Sequence, residues 1–317
     1  MMGRIRSILK RNKVLFRIKK SYDHKKMKFY FNVLGPEKHA EILYRKHFGN
    51  YLDLKNPTTF NEKLNWLKLF WNPSVKSICA DKYEVRQYII EQGESDCLNQ
   101  LYGVYEAVDE ISWEKLPHSF VLKVNNTCGA NIICADKDEL NEIDVKKKLK
   151  GWLKDKFWKN SSELHYQFIE PKIICEKYLE TDAGFLPIDY KIYCFNGKPK
   201  VAMICVERES GKPKFYLTDF TGKILPFNKR GIETIREGIT SIELPKVIKE
   251  MYDLSTKLSK HFPFVRMDFY DYNGRAIFGE MTFTPRGCLD NNISAEGEKI
   301  MGEWIDLTKI NLTEIST

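Results

Sequence analysis

The sequence predicts an α+β protein in which a helical N-terminal region precedes two α+β sub-domains. Three observations support this fold class. Apolar residues recur at helical spacing before residue 115, short β-rich runs begin near residue 116, and two Asn-Gly dipeptides separate strand-like runs after residue 187. The expected segments are a basic extension over 1–28, a mainly helical region over 29–115, a small sub-domain over 116–186 and a C-terminal sub-domain over 187–317.

The basic extension contains eleven Lys or Arg and one Asp, a net charge of +10, whereas the whole chain carries +8. The body is therefore slightly acidic, and because a nucleic-acid-binding domain needs its own basic face, we expect no nucleic-acid partner. Between Arg4 and Lys20, apolar residues recur on one helical face with basic residues between them. This pattern indicates an amphipathic helix in peripheral contact with an anionic membrane, or an arm packed on the body.

The composition is that of a globular protein, with 43% hydrophobic and 30% charged residues. No apolar run approaches the ~18 to 20 residues that span a bilayer, and the N-terminus lacks the apolar core of a secretory signal. We therefore expect a cytoplasmic protein, with the extension on the inner face of the membrane if it binds lipid. The eight cysteines form no C-x-x-C pair, which favours reduced, buried thiols over a disulfide framework or a zinc site.

The helical region contains two predicted helices. Thr59 and Glu62 form a capping box at the start of the first helix. The second helix is expected to begin near Asn72-Pro73 and to carry Asp81-Lys82 near its middle. Its predicted buried positions are Val75, Ile78, Val85 and Ile89.

The small sub-domain is predicted from β-rich runs at 120–124, 131–134 and 172–179. They enclose a helix with apolar residues at five positions: Val145, Leu149, Trp152, Leu153 and Phe157. The first run carries Lys123 into a loop of small and polar residues. Backbone amides near Asn125 and Gly129 could approach phosphates there, although many such loops are ordinary hairpin connections.

The last of these runs, 172–179, changes from apolar to polar at Glu176-Lys177 and ends near Leu179. Such a strand end could present backbone groups to a purine edge, or it could be an ordinary strand end. The sequence has neither a Walker A lysine motif nor G-x-G-x-x-G. A P-loop or Rossmann site therefore has little support.

The C-terminal sub-domain is predicted to contain two hairpins with a helix between them. Strands at 189–195 and 200–206 surround Asn196-Gly197, and strands at 265–270 and 275–283 surround Asn273-Gly274. The helix has apolar residues at helical spacing: Val247, Met251, Leu254 and Leu258. In the first strand, Asp189 and Lys191 share one face, where Lys191 could reach a phosphate or pair with Asp189.

The second hairpin contains two carboxylates on apolar strands. If its loop has three residues, 273–275, then Asp268 lies opposite Glu280, and like charges placed there repel unless a cation lies between them. A two-residue loop would separate the two faces. Oxygen ligands of this kind suit Mg²⁺ together with phosphates, although an ion-pair cluster on an exposed sheet is the alternative. Arg266 shares the face of Asp268 and could neutralise a phosphoryl oxygen or an oxyanion.

Taken in order, several segments resemble the TupA-like branch of the ATP-grasp superfamily, which is found with bacterial surface-polysaccharide genes. The matching segments are Tyr44-Arg-Lys-His-Phe-Gly, Pro57-Thr-Thr-Phe-Asn-Glu-Lys-Leu, Asp81-Lys-Tyr-Glu-Val-Arg, Phe120-Val-Leu-Lys-Val-Asn-Asn, Glu176-Lys-Tyr-Leu, Asp189-Tyr-Lys, Phe195-Asn-Gly, Phe262-Pro-Phe-Val-Arg-Met-Asp and Phe278-Gly-Glu-Met-Thr-Phe. The resemblance implies an ATP-grasp fold in which two α+β sub-domains enclose ATP, with Mg²⁺ as the metal.

The resemblance also implies roles for individual residues. The phosphates would be bound by Lys82 and Lys123, the adenine by the strand end of Glu176, Lys177 and Leu179, the ribose by Glu180 or Asp189, the magnesium by Asp268 and Glu280, and the phosphoryl group by Arg266. Lys191 and Arg286 are further candidates, and Arg286 could hold an acidic acceptor such as a uronic acid sugar or form a structural ion pair. Thr282 stands where relatives often have a metal-binding Asn, which leaves the number of magnesium ions open.

The implied activity is that of an ATP-dependent carboxylate-amine ligase acting through an acyl phosphate. Its substrates would be a carboxylated sugar or glycan precursor and an amine or amino acid. Two alternatives remain from the sequence. One is an ATP-dependent kinase with a small-molecule or sugar acceptor, and the other is a non-catalytic nucleotide-binding scaffold of a glycan assembly complex.

Overall fold

The computed structural model describes residues 13–181, 187–206 and 214–310. Most of the amphipathic helix predicted in the basic extension therefore lies outside the described residues. The α-helices within these ranges are α1 (Lys13–Phe48), α2 (Phe60–Phe70), α3 (Ser74–Ala80), α4 (Val85–Glu91), α5 (Glu142–Leu153), α6 (Lys229–Arg236), α7 (Ile248–Leu258) and α8 (Ala295–Trp304). Across this part of the chain, no helix combines the length and apolar character that membrane crossing requires.

The strands form two antiparallel sheets, which confirms the α+β class. The small sheet has the order β1-β4-β2-β3 and contains Leu101–Tyr105, Ile173–Lys177, Phe120–Val124 and Asn131–Cys134. The large sheet has the order β7-β6-β5-β8-β9 and contains Lys214–Thr218, Lys198–Val206, Asp189–Phe195, Phe264–Tyr272 and Arg275–Thr282. Strands β1 and β7 were not predicted. Strand β1 lies at a sheet edge, and its register shifts between Leu101 and Gly103, so its sequence lacks a clean alternation.

Three apolar clusters hold these elements together. The large sheet shares the main core with α2, α7 and α8, and the small sheet packs on α5. A third cluster joins α1 to α2 and to Leu289. Seven of the eight cysteines, all of which are described, are buried thiols as predicted, whereas Cys128 is exposed in the loop after β2.

The start of α2 is confirmed and the single helix predicted after it is wrong. Glu62 Oε2 accepts a hydrogen bond from Thr59 N at 3.0 Å, which completes the predicted capping box. The second helix is divided into α3 and α4, because Asp81 adopts an extended conformation and accepts hydrogen bonds from Tyr83 N and Glu84 N. An Asp side chain that binds nearby backbone amides competes with helix continuation. Ile78, which was predicted to be buried, is 44% exposed.

The loop predicted for the second hairpin is also wrong, but the pairing that it was meant to explain is present. Tyr272 pairs with Arg275, so the loop has two residues, Asn273 and Gly274, both with positive φ. A β-bulge between Asp268 and Phe269 then shifts the register and places Asp268 opposite Glu280. The additional residue is Gly279, where a Cβ atom would lie only 3.0 Å from the Asp268 carbonyl oxygen.

His39 fastens α1 to the body and should make stability depend on pH. It is fully buried, with Nδ1 2.8 Å from Ser162 Oγ, and burial lowers its pKa to about 4. Because the unfolded pKa is near 6.5, the unfolded state takes up a proton as pH falls from 6.5 towards 4. We expect urea unfolding to show a loss of about 2 kcal/mol between pH 7 and pH 5 from this residue.

The change His39→Gln tests this prediction, because it should reduce that pH dependence by about 2 kcal/mol. The matched variant His118→Gln removes a histidine that is exposed and should leave the dependence unchanged. An equal pH dependence in the wild type and His39→Gln would contradict the prediction.

Candidate active site

A cavity of about 250 Å³ lies between the two sheets and collects most of the residues predicted to bind a nucleotide. Its lining residues are Asn99, Val121, Lys123, Asn131, Ile133, Glu176, Lys177, Leu179, Pro187, Asp189 and Tyr270. Five of the predicted positions are among them, and they come from both sheets. Glu180 is exposed and is not part of this lining, so of the two ribose candidates only Asp189 faces the cavity.

Lys123 and Glu176 form an ion pair inside this cavity. Lys123 Nζ donates to Glu176 Oε2 at 2.6 Å, and Arg86 Nη1 lies 3.6 Å from Glu176 Oε1. Burial lowers the pKa of Lys123, but the charge and hydrogen bond of Glu176, together with Tyr270 and Glu280, raise it by more, and the net shift is upward. Arg86 was not assigned a role from the sequence. It lies on α4, and its only signal was its place in the Asp81-Lys-Tyr-Glu-Val-Arg segment.

The backbone of Lys177 is already hydrogen bonded within the protein. Its N–H donates to Gln100 O at 2.9 Å, and its carbonyl accepts from Asn99 Nδ2 at 2.9 Å. The Lys177 ammonium lies 5.8 Å from the centre of the Tyr272 ring. Leu179, two residues further on, lines the cavity and lies beyond these bonds.

The loop after β2 is anchored by Asn125. Its side chain donates to Asp81 Oδ2 at 2.8 Å and to Glu170 O at 3.0 Å, and it accepts from Lys172 N at 2.7 Å. Its own N–H donates to Lys172 O. In this structure Asn125 therefore positions the loop instead of offering donors to a ligand. Gly129, at the exposed tip, has a φ of 74°, a conformation that favours glycine.

Lys82 joins this loop to the second hairpin of the large sheet. It lies in the break between α3 and α4, and its Nζ donates to Thr127 O at 2.7 Å and lies 3.5 Å from Glu280 Oε2. Only 9% of the Lys82 side chain is exposed. The Asp81 to Asn125 hydrogen bond holds the adjoining backbone, so Asp81 positions Lys82.

Asp268 and Glu280 face each other on β8 and β9, surrounded by basic side chains. Arg266 donates from Nε and Nη2 to the two oxygens of Asp268, both at 2.6 Å, and its Nη2 lies 3.6 Å from Glu280 Oε1. Lys191 Nζ lies 3.0 Å from Asp268 Oδ2 and also pairs with Asp189. The cations that balance the opposed carboxylates are thus supplied here by the protein itself.

The charges around Glu280 keep it ionised. Burial raises its pKa, but Lys82, Arg266 and Lys191 together lower it to about 2. Thr282 Oγ1 also donates to Glu280 Oε1 at 3.1 Å. Two carboxylates with an adjacent hydroxyl form an oxygen donor set, so these residues fit a hard cation such as Mg²⁺.

Arg286 lies at a second cavity, of about 300 Å³, beside the same cluster. Lys191, Tyr193, Arg266, Arg286 and Asp290 are among its lining residues. Arg286 Nε is 3.4 Å from Asp290 Oδ1. Three successive residues, 286–288, have left-handed backbones, with φ values of 52°, 68° and 64°.

Buried side chains hold this left-handed turn in place. Lys68 Nζ donates to Gly287 O at 3.1 Å, Asn65 Nδ2 donates to Cys288 O at 2.9 Å, and Thr284 Oγ1 donates to Glu163 Oε1 at 2.5 Å. Lys68 is fully buried on α2, and no sequence pattern indicated its role. Strain that is fixed by its surroundings in this way is typical of functional sites.

Comparisons with known proteins identify a family for this chain. A family model described as TupA-like ATPgrasp matches residues 62–306. No curated protein matches the chain. Among solved structures, the chain is similar to D-alanine–D-alanine ligase from Bacillus anthracis in complex with ATP, with 18% identity, a TM-score of 0.41, and coverage of 72% of this chain and 63% of that chain.

A second similar structure is L-amino acid ligase from Bacillus licheniformis, with 14% identity, a TM-score of 0.36, and coverage of 66% of this chain and 43% of that chain. The chain thus spans less than two thirds of either ligase. The family model covers most of the chain, including the cavity between the two sheets and the facing carboxylates. The protein therefore belongs to the TupA-like ATP-grasp family.

Proposed function

We propose that the protein is an ATP-dependent ligase that activates a carboxylate for attack by an amine. The observation that carries this proposal is the cluster of charged side chains in which Lys82, Lys191 and Arg266 surround the facing carboxylates, Asp268 and Glu280. Three cations around two carboxylates form a site for a polyanion and its metal.

The two-sheet cavity is the proposed nucleotide site. Asp189 lines it and is the proposed ribose ligand. Lys123, which also lines it, and Lys82, 3.5 Å from Glu280, are the proposed phosphate ligands. Because the Lys177 backbone groups are already bonded, we assign the adenine edge to the backbone near Leu179, with Val121 and Ile133 covering the ring. Bound Mg²⁺ would be held by Asp268 and Glu280 and would neutralise phosphate charge.

The second cavity is the proposed acceptor site, because Arg266 and Lys191 line it beside the carboxylates. A carboxylate oxygen of the acceptor attacks the γ-phosphorus of ATP, the bond to the bridging oxygen breaks, and ADP leaves. Arg266 stabilises the charge on the transferred group. The amine nitrogen then attacks the carbonyl carbon of the acyl phosphate, phosphate leaves, the amine loses a proton, and an amide remains.

The substrate class is proposed from Arg286 and from the family. Arg286 lines the acceptor cavity and would bind an acidic group on a carboxylated sugar or glycan precursor, with an amine or amino acid as the second substrate. A role in bacterial surface-polysaccharide synthesis is supported only by the resemblance. The site is proposed to act in the cytoplasm, where ATP is available.

Product analysis tests the ligase. The protein is incubated with ATP, Mg²⁺, a panel of uronic acids and a panel of amino acids, and products are identified by mass spectrometry. We expect ADP, phosphate and an amide in equal amounts, and hydroxylamine in place of the amine should trap a hydroxamate. The variant Arg266→Met should lower turnover by about 10² to 10³-fold, because the oxyanion loses a charged donor.

The same experiment separates the alternatives. A stable phosphorylated acceptor that forms without any amine would contradict the ligase and support a kinase. Nucleotide binding without turnover on any acceptor, unchanged by Arg266→Met, would support a scaffold.

A further inference from the structure

One face of α1 exposes large apolar side chains to solvent. Tyr22, Phe29 and Val33 are 64%, 61% and 61% exposed. With the exposed Lys26, they occur at spacings of four, three and four residues, which places all four on one narrow stripe of a helix. Leu34, 44% exposed, lies at the end of this stripe beside the kink at Gly35. We call residues 22, 26, 29 and 33 the outer stripe.

The opposite face of α1 is fastened to the body. Phe31 packs edge-on against Trp158, with ring centres 5.2 Å apart, and Lys28 pairs with Asp155. At the edge of this face, Lys159 donates to the exposed Asn32. These contacts fix the rotation of the helix. The outer stripe faces solvent because these contacts fix the orientation of α1. Rotating α1 so that the stripe faced the body would break all three of them.

Two exposed lysines lie on or beside the outer stripe. Lys25 and Lys26 are exposed there, and residues 1–28 carry a net charge of +10 although the rest of the chain is slightly acidic. Aromatic and aliphatic side chains flanked by lysines are the composition of helices that lie in the boundary between lipid headgroups and acyl chains. Anionic headgroups attract each lysine that lies near the surface.

We propose that the outer stripe of α1 docks on the surface of an anionic bilayer, with Tyr22, Phe29 and Val33 inserted at the headgroup level. None of these residues lines either cavity of the active site, so the proposal is independent of the proposed ligase activity. Two other occupants fit less well. Nucleic acid has no acyl region into which three apolar side chains could insert. The exposed surface of three helical turns is far smaller than the ~800 Å² that each partner of a stable dimer buries.

Co-sedimentation of the full chain with vesicles tests the proposal. One set of vesicles is phosphatidylcholine alone, and the other contains about one third phosphatidylglycerol. We expect binding only to the second set. The double variant Tyr22→Ser/Phe29→Ser should weaken it by about ten-fold or more, and Lys25→Glu/Lys26→Glu by at least as much.

The matched control is Phe168→Ser, which removes a phenylalanine that is 64% exposed on a different surface. It should bind vesicles like the wild type, and all variants should bind nucleotide equally. Absence of binding to anionic vesicles, equal binding to both vesicle types, or an equal loss in Phe168→Ser would each overturn the proposal. A concentration-dependent dimer without lipid that Phe29→Ser abolishes would overturn it in favour of self-association.

Discussion

Replacing Asp268 by Asn or Glu280 by Gln should lower ATP-dependent turnover by about 10³-fold or more, the largest effect that we expect from any single change. Both carboxylates are the proposed ligands of a metal on the phosphates, and the register of β8 and β9 fixes them opposite each other. The amides keep the shape and remove the charge. Turnover is measured as ADP release at saturating Mg²⁺ and ATP with the acceptor found by product analysis.

The structure adds a second expectation about the metal. Arg266 and Lys191 are bound to the Asp268 carboxylate, and Lys82 lies near Glu280. Mg²⁺ must therefore compete with these three cationic side chains for its two ligands. Phosphate groups can accept those cations and release the carboxylates. By calorimetry, Mg²⁺ should therefore bind about 10²-fold more tightly in the presence of ADP than alone, a coupling of about 3 kcal/mol.

The control for both measurements is Asp271→Asn, which makes the same chemical change on β8 nearer the turn. It should retain wild-type turnover and metal affinity. The metal assignment is wrong if Asp268→Asn leaves Mg²⁺ affinity in the presence of ADP within about three-fold of wild type. It would also fail if Mg²⁺ bound equally well with and without nucleotide.

The facing carboxylates show how far the sequence alone could go. Their pairing was predicted from a three-residue loop, whereas the loop has two residues and a bulge restores the pairing. Two local errors cancelled. Gly279, an isolated glycine inside an apolar strand, was the signal for the bulge, because such glycines often mark an additional residue in one strand.

Local competition explains the helix that was predicted incorrectly. The apolar spacing from Val75 to Ile89 fits one helix, but the carboxylate of Asp81 binds the amides of the next turn and Asn125 binds Asp81 in return. That second partner is distant in sequence and leaves no periodic pattern. The break brings Lys82 to Thr127 and Glu280, so the helix that was predicted incorrectly lies at the proposed phosphate site.

The roles of residues that act through contacts with sequence-distant partners could not be predicted, for the same reason. Arg86 is assigned by its approach to Glu176, and Lys68 by its hydrogen bond to Gly287. A lysine on an amphipathic helix usually faces solvent, and only the fold shows that Lys68 is buried. In contrast, Lys123 and Glu176 were singled out from the sequence, because each is a charged residue near the end of an apolar strand and the family resemblance assigns each a role at the nucleotide.

The second large effect is expected from changes to Lys123 and Glu176. These changes distinguish a structural ion pair from a phosphate site. Lys123→Met should weaken nucleotide binding by about 10 to 100-fold, since a buried cation at the proposed phosphate position is lost. It should also lower the free energy of unfolding by about 1 to 2 kcal/mol, because Glu176 keeps only Arg86 at 3.6 Å. Glu176→Gln should cost about 3 kcal/mol, since it leaves Lys123 buried without its 2.6 Å partner.

The double variant Lys123→Met/Glu176→Gln is decisive because the two roles predict opposite results. Removing both charges of a buried pair is often nearly neutral, so urea unfolding should recover to within about 1 kcal/mol of wild type. Fluorescence titration with a nucleotide should remain as weak as in Lys123→Met, because no restored stability replaces the missing cation. The control variant Lys172→Met, which removes a half-buried lysine 3.4 Å from Glu84, should change neither measurement. Recovery of nucleotide affinity together with stability would show that Lys123 serves the fold alone and that the phosphates are bound by Lys82 and Arg266.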